Sequence, residues 1–389
     1  MTSFSALAAI SLAVWLYLLL GRNGFWRARP LIEDWAPPAP SAWPTVVAVV
    51  PARNEAAHVE EAVGSILAQD YPGELAVVLV DDHSDDQTAA IGRRLAAART
   101  RPLDVVAARA LPPGWSGKLW AMAEGLRHSA EAWPRATYVL LTDADITHPP
   151  DNLARLVAKA EAERLDLVSL MVRLHCASFW ERLLIPPFVF FFQKLYPFAA
   201  VNDPARSTAA AAGGCMLARR RALEEAGGIE AIRHELIDDM ALARAIKRRP
   251  GGGRIWLGLT ETTTSLRRYD RLAGIWAMVA RSADTQLCHS LARLAGTLVG
   301  MGVVYLVPPL GVLAGIVQGD RWLAALGLAG WAAMAIAYRP TAKLYRLGAP
   351  WLLSLPLAAA LYAAMTVDSA IQHRRGAGGR WKGRVFSPQ

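Results

Sequence analysis

The apolar positions of this chain fall into two patterns. Uncharged runs at 4–20, 294–317, 322–338 and 347–367 each come near the roughly 20 residues a helix needs to cross a bilayer core. Between the first and second of these, short β-branched runs alternate with stretches of helical spacing. Residues 45–50 (TVVAVV), 75–80 (LAVVLV), 137–142 (TYVLLT) and 165–171 (LDLVSLM) predict buried strands, with a weaker one at 103–107. Val59, Val63, Ile66 and Leu67 sit on one helical face and predict a helix over 56–68. Further helices are expected over 86–98, 118–128, 153–163 and 240–248. Continuous apolar strands that alternate with helices predict an α/β fold, a mostly parallel sheet covered on both faces. Segment 179–200 is aromatic and interrupted by Pro186-Pro187, which suits a surface lying against the bilayer better than a span.

These patterns divide the chain into an anchor at 1–22, a proline-rich linker at 23–44, a domain at 45–285, a transmembrane region at 286–372 and a basic tail at 373–389. Composition agrees: 53% of residues are hydrophobic and the mean hydropathy is +0.23, with the excess gathered in the uncharged runs. Arg22, Arg27 and Arg29 follow the first run, so the positive-inside rule puts the middle region in the cytoplasm of an inner-membrane protein. One span before the domain and three after it would strand the basic tail outside. An even count after the domain would require one segment to be re-entrant or interfacial, and Pro308-Pro309 marks a candidate. The net charge of +9 suits lysines and arginines facing anionic lipid. No nucleic-acid-binding pattern accompanies it, so nucleic acid is not an expected partner. Cys176, Cys215 and Cys288 are far apart and contain no C-x-x-C pair, which predicts reduced thiols and no zinc site built from cysteine.

Chemistry gathers where the strands end. Pro51-Ala52-Arg53-Asn54-Glu55 follows the first strand, Asp81-Asp82 the second, and Asp143-Ala144-Asp145 the strand at 137–142. Carboxylates at the mouth of a parallel sheet can hold a divalent cation, Mg²⁺ or Mn²⁺, and the nucleotide diphosphate that it neutralises. Sugar transfer from such a donor also needs the base and ribose held, and a carboxylate to take the acceptor's proton. Asp143 and Asp145 suit the metal. Asp81 and Asp82 suit the uracil or ribose, and Pro51, Arg53, Asn54 and Glu55 flank the base. Asp85 and Thr88 read as turn and helix-capping residues. Lys118, after Gly117 at a helix start, suits phosphate or base contacts. Asp238-Asp239 opens a helix, where the dipole alone would favour acids; the functional reading makes Asp239 the general base, ionised at neutral pH. No G-x-G-x-x-G follows the first strand, which argues against a dinucleotide oxidoreductase.

Taken together, the P-x-x-N-E turn, the D-D-x-S-x-D-x-T run from Asp81 to Thr88, the D-x-D of Asp143 and Asp145, and Asp238-Asp239 resemble the family 2 inverting glycosyltransferases of GT-A fold. Membrane-anchored members carry Q-x-x-R-W near the first C-terminal span. Here the corresponding place, 278–282, keeps only Arg281, which the resemblance implies contacts the diphosphate or the acceptor. Residues 208–217, Ile237-Asp238-Asp239, 255–260 and 279–281 further resemble the hopene-associated glycosyltransferases. That resemblance implies a UDP-sugar donor and a lipid or polyprenoid acceptor in the membrane. Two rival readings stay open: a polysaccharide or polyprenyl-phosphate sugar transferase, and a non-catalytic membrane scaffold on the same fold. Neither sugar, metal nor oligomeric state is legible.

Overall fold

The computed structural model describes residues 3–36, 38–98 and 101–375, together with the backbone at 380–381 and 384–385. Its chain contacts separate two units. One holds the strands; the other gathers the long apolar helices.

The sheet unit comprises Arg29–His175 and Ala200–Arg267, with the end of the chain. Its strands are β1 (Val46–Ala52), β2 (Leu75–Asp81), β3 (Leu103–Ala107), β4 (Tyr138–Thr142), β5 (Ile146–Thr147), β6 (Leu167–Arg173), β7 (Cys215–Arg219) and β8 (Ile255–Ser265). They form one sheet in the order β3-β2-β1-β4-β7-β6-β8-β5. β3, β2, β1 and β4 run parallel, as their unalternated apolar sequences predict, and every residue of β1 is buried. The helix Gly117–Ala132 lies directly on this half. A Cβ on Gly125 would come within 2.5 Å of Val49 and 2.8 Å of Val80, so only glycine permits the approach.

The other half departs from the mostly parallel sheet expected. β7 inserts antiparallel between β4 and β6, and β5 pairs antiparallel with β8, so the sheet is mixed. Neither β7 nor β8 is prominent in the sequence: β7 is five residues after an alanine run, and the second half of β8 is threonine-rich. β6 starts two residues later than the apolar run suggests. Arg164 takes a left-handed φ of 52° and Leu165 N–H bonds back to Ala160 O at 2.8 Å, so this turn belongs to the end of the helix Asn152–Ala162.

The helical unit comprises the first 28 residues, Cys176–Ala199 and Arg268–Gly378. Among the described residues, three helices are long and apolar enough to cross a membrane: Ser3–Leu20, Leu291–Gln318 and Arg321–Leu344. Four runs were expected. The fourth, 347–367, is divided by the short 3₁₀ turn Ala349–Leu353, and the helix after it, Leu355–Arg374, runs on into Asp368, His373 and Arg374. Pro308-Pro309 does not interrupt the second run. A π-helical stretch, Gly302–Leu306, precedes the prolines, which then occupy a first helical turn where a missing N–H costs little. Segment 179–200 is mostly one helix, Phe179–Leu195, with both prolines inside it and a capping box between Ser178 and Glu181. Its Phe190 joins a buried cluster with Trp15, Phe25, Tyr338 and Leu355. Beyond Arg375 the expected basic tail lies outside the described residues, apart from two short strands, Arg380–Trp381 and Arg384–Val385.

Candidate active site

The parallel half of the sheet delivers the first three polar motifs to one edge. Ala52, at the end of β1, pairs with Asp81, at the end of β2, and β4 runs beside β1 toward Asp143. From there two clusters of opposite charges assemble.

Lys118 centres the first. Ser116 caps its helix, accepting from Leu119 N at 3.3 Å, and the lysine reaches Asp143 Oδ1 at 2.9 Å and Asp238 Oδ2 at 3.1 Å. Asp239 adjoins it. Gly213 N–H donates to Asp239 Oδ2 at 2.9 Å and Met240 N–H to Oδ1 at 2.7 Å. The direction in which a Gly213 side chain would project lies 3.4 Å from Lys118 Nζ and 3.6 Å from Asp239 Oδ2, so the glycine leaves the cleft open between them. Burial, reinforced by Asp238, pushes the Asp239 carboxyl up to about 6, while Lys118 and the two N–H donors pull it back. Asp239 therefore remains mainly ionised at neutral pH but titrates close to it. Asp143 is also raised, chiefly by burial and against the pull of Lys118. Burial works against the Lys118 ammonium, yet Asp143 and Asp238 hold its pKa above the ordinary lysine value.

Arg267 centres the second cluster. Its Nε donates to Asp145 Oδ2 at 2.8 Å and its terminal nitrogen to Glu55 Oε1 at 2.6 Å. Glu55 and Asp145 are both buried, a costly setting for carboxylates unless they are paired. Behind the D-x-D turn, His148 fixes the end of β4. The Thr142 hydroxyl donates to Gly214 O at 2.8 Å, so His148 Nε2–H donates to Thr142 Oγ1 at 3.0 Å and Nδ1 accepts from Asn152 at 2.9 Å. Burial holds His148 neutral, its pKa lowered to about 4.

The turn after β1 is tied to the loop after β2. Arg53 donates to the carbonyls of Asp82 and His83, and Asn54 Oδ1 accepts from Asp85 N at 2.8 Å. Asn54 and His83 both take left-handed φ values, 51° and 53°. The capping expected of Asp85 and Thr88 falls instead to Asp86, whose Oδ1 accepts from Thr88 N at 2.9 Å and whose Oδ2 accepts from Ala56 N. Pro51 is the sixth residue of β1, beside Val80. Asp82 is fully buried, with its N–H bonded to Ala52 O. Among the described residues, Asp81 Oδ1 is a buried oxygen with no hydrogen-bond partner.

Thus Lys118, Asp143, Asp238 and Asp239 converge, and Glu55 and Asp145 meet through Arg267, one residue past Ala144 from Asp143. Arg281 belongs to the helical unit, exposed at the C-terminus of the helix Leu272–Ala280. Sequence reasoning missed Arg267, Gly213 and His148. Arg267 lies 212 and 122 residues from its partners, and nothing local in the chain announces such pairs.

The sequence profile of glycosyl transferase family 2 matches residues 47–227, the span that contains β1 to β7 and both Lys118 and the D-x-D. Those residues are a family 2 glycosyltransferase domain. The chain is 33% identical over 126 residues to an N-acetylglucosaminyltransferase of Mesorhizobium japonicum, a match covering 32% of this chain and 28% of that protein. It is 33% identical over 141 residues to the succinoglycan biosynthesis protein ExoO of Rhizobium meliloti, covering 34% and 37%. The chain therefore spans 28% of the length of the first relative and 37% of the second. Over nearly its whole length it is similar in fold to the mannosyltransferase PcManGT of Pyrobaculum calidifontis, solved with GDP-Man and Mn²⁺. The TM-score is 0.56 at 23% identity, covering 95% of this chain and 99% of that one. The sheet unit has a GT-A-like fold, in its mixed form.

Proposed function

We propose that this glycosyltransferase moves a sugar from a UDP-sugar to the hydroxyl of a membrane lipid, with inversion at the anomeric carbon. The observation that carries the reading is the Lys118 cluster. One ammonium touches both the D-x-D aspartate Asp143 and Asp238, beside an Asp239 carboxylate held by two backbone N–H groups.

Asp143 and Asp145 present hard carboxylate oxygens, the donors that Mg²⁺ and Mn²⁺ prefer, and both already attract positive charge, from Lys118 and Arg267. The residues fit such a cation, which when bound supplies neutralisation of the leaving diphosphate. Lys118 and Arg267 add fixed positive charge to the same end. Asp81 Oδ1 is suited to accept from the N–H of a uracil, with Asp82, Glu55, Arg53, Asn54 and Pro51 shaping that side of the donor pocket. As the acceptor oxygen bonds to C1 from the face opposite the diphosphate, Asp239 takes its proton and UDP leaves with the electron pair. A carboxyl that titrates near 6 is a base close to its best match for neutral pH. Arg281 is the candidate for diphosphate or acceptor contacts in the helical unit.

The three apolar helices support a location in the inner membrane. With Arg22, Arg27 and Arg29 on the cytoplasmic side, three crossings would also return Lys343 and Arg346 to that side, in keeping with the positive-inside rule. The resemblance to hopene-associated enzymes favours a hopanoid or other polyprenoid acceptor. The name of ExoO favours a second reading, assembly of a polysaccharide. Membranes containing the protein, incubated with radiolabelled UDP-sugars, separate the two: the lipid reading requires label in the organic extract, and label confined to polymer overturns it.

A further inference from the structure

A different set of donors meets in the helical unit. Asp284, His289 and His373 bring a carboxylate oxygen and two imidazole nitrogens to within 4.8 Å of one another. His289 Nδ1 lies 2.7 Å from Asp284 Oδ2, and the rings of His289 and His373 stand 4.2 Å apart, centre to centre. The neighbourhood is built rather than incidental. Asp284 is 6% exposed, and its N–H donates at 2.9 Å to Ser369, whose hydroxyl in turn donates to Ala280 O. Cys288 and His289 hold successive left-handed φ values of 52° and 55°, a conformation that non-glycine residues keep only when their surroundings impose it. That turn is what swings His289 back over Asp284, whose carbonyl also accepts from His289 N at 3.1 Å.

We propose that Asp284, His289 and His373 form a three-ligand site for a borderline divalent metal, Zn²⁺, separate from the carboxylates of the transferase domain. Two imidazoles and one carboxylate are a zinc donor set with a fourth position left for water, and are poorly matched to Mg²⁺. Zinc bonds of about 2.1 Å in a tetrahedron place donor atoms roughly 3.4 Å apart, so the side chains need shift by little more than an ångström. On binding, the ion takes the place of the hydrogen bond between His289 Nδ1 and Asp284, with the neutral imidazole carrying its proton on Nε2. Bound zinc would fasten the segment between the helix Leu272–Ala280 and the apolar helix Leu291–Gln318, which includes Arg281, to the C-terminal end of Leu355–Arg374. Ser369, bonded behind Asp284, is a positioning residue for the carboxylate.

The test uses the untagged full chain in detergent, stripped by chelator and titrated with Zn²⁺ by calorimetry in saturating Mg²⁺. The wild type takes up one zinc per chain, and its melting temperature rises. The double variant H289Q/H373Q loses both effects, and S369A, a milder change, keeps the stoichiometry but weakens binding about tenfold. A double variant that is folded by circular dichroism and binds zinc as the wild type does overturns the assignment. So does a wild type that takes up no zinc. Neither readout depends on sugar transfer, so failure here leaves the proposed reaction untouched.

Discussion

Replacing Lys118 by methionine removes the positive charge between three carboxylates while keeping an unbranched side chain only one heavy atom shorter. The geometry bounds the effect on Asp239. Lys118 Nζ and Asp239 Oδ2 lie 3.4 and 3.6 Å from one common point, so they are no more than about 7 Å apart. At an effective dielectric near 20, two charges at that separation interact by about 2 kcal/mol. Loss of the ammonium therefore raises the Asp239 carboxyl further, because the interaction favoured its ionised form. If Asp239 is the base, the rate of the wild type falls below a limb at about 6. In K118M the same limb moves upward by roughly one to two pH units. The assay is kcat/KM for labelled UDP-sugar against a fixed lipid acceptor, measured from about pH 5 to 9 and normalised to each enzyme's own plateau. Normalisation separates the displaced limb from any loss of diphosphate contact, which lowers the whole profile without moving it. An unmoved limb in K118M refutes the electrostatic coupling of Lys118 to the base.

Three further outcomes follow from other parts of the structure. His148 is neutral when folded, with a pKa lowered to about 4 from an ordinary 6.5, so the unfolded chain binds more protons between those values and stability falls as pH drops through that window. The full effect is about 3 kcal/mol; in denaturant melts, H148N should lose that part of the wild-type pH dependence. Gly125→Ala forces a methyl against Val49 and Val80 and should destabilise the sheet unit by about 1–3 kcal/mol, read by urea unfolding, with no change in KM per folded molecule. Asp145→Asn removes one of two carboxylates suited to the cation, and Mn²⁺-dependent binding of UDP-sugar should weaken at least about tenfold by calorimetry, while wild-type binding collapses on adding chelator.

What the sequence made legible was whatever depends on near neighbours. The parallel strands could be read from TVVAVV, LAVVLV and TYVLLT because strands buried on both faces need unbroken apolar runs. The motifs that end them could be read because a strand's last residue fixes where the next side chains emerge. β7 and the outer end of β8 escaped because an antiparallel strand of five residues and a threonine-rich edge carry no comparable pattern. The same limit applies within the site. Asp239 stands out as an acid beside another acid, but Gly213, which donates to it from 26 residues away, has no local mark. Arg267 is one of two adjacent arginines, and only the fold selects it as the partner of Glu55 and Asp145. In the helical unit, counting apolar residues gave four runs; the turn at 349–353 and the charged end of Leu355–Arg374 reduce the described candidates to three. His289 and His373, 84 positions apart, illustrate the same blindness to pairs that only folding creates.

The claim on which the rest depends is that Asp239 is the base of a metal-assisted donor site, and Asp239→Asn addresses it most directly. Asparagine keeps the side chain's size and can still accept from Gly213 N–H, but it cannot take a proton. Calorimetry with UDP-sugar and Mn²⁺, run beside a transfer assay on the same preparation, should return wild-type donor affinity with turnover lowered by a factor of at least about a hundred. Turnover near the wild-type rate in a folded, donor-binding D239N protein would contradict the account.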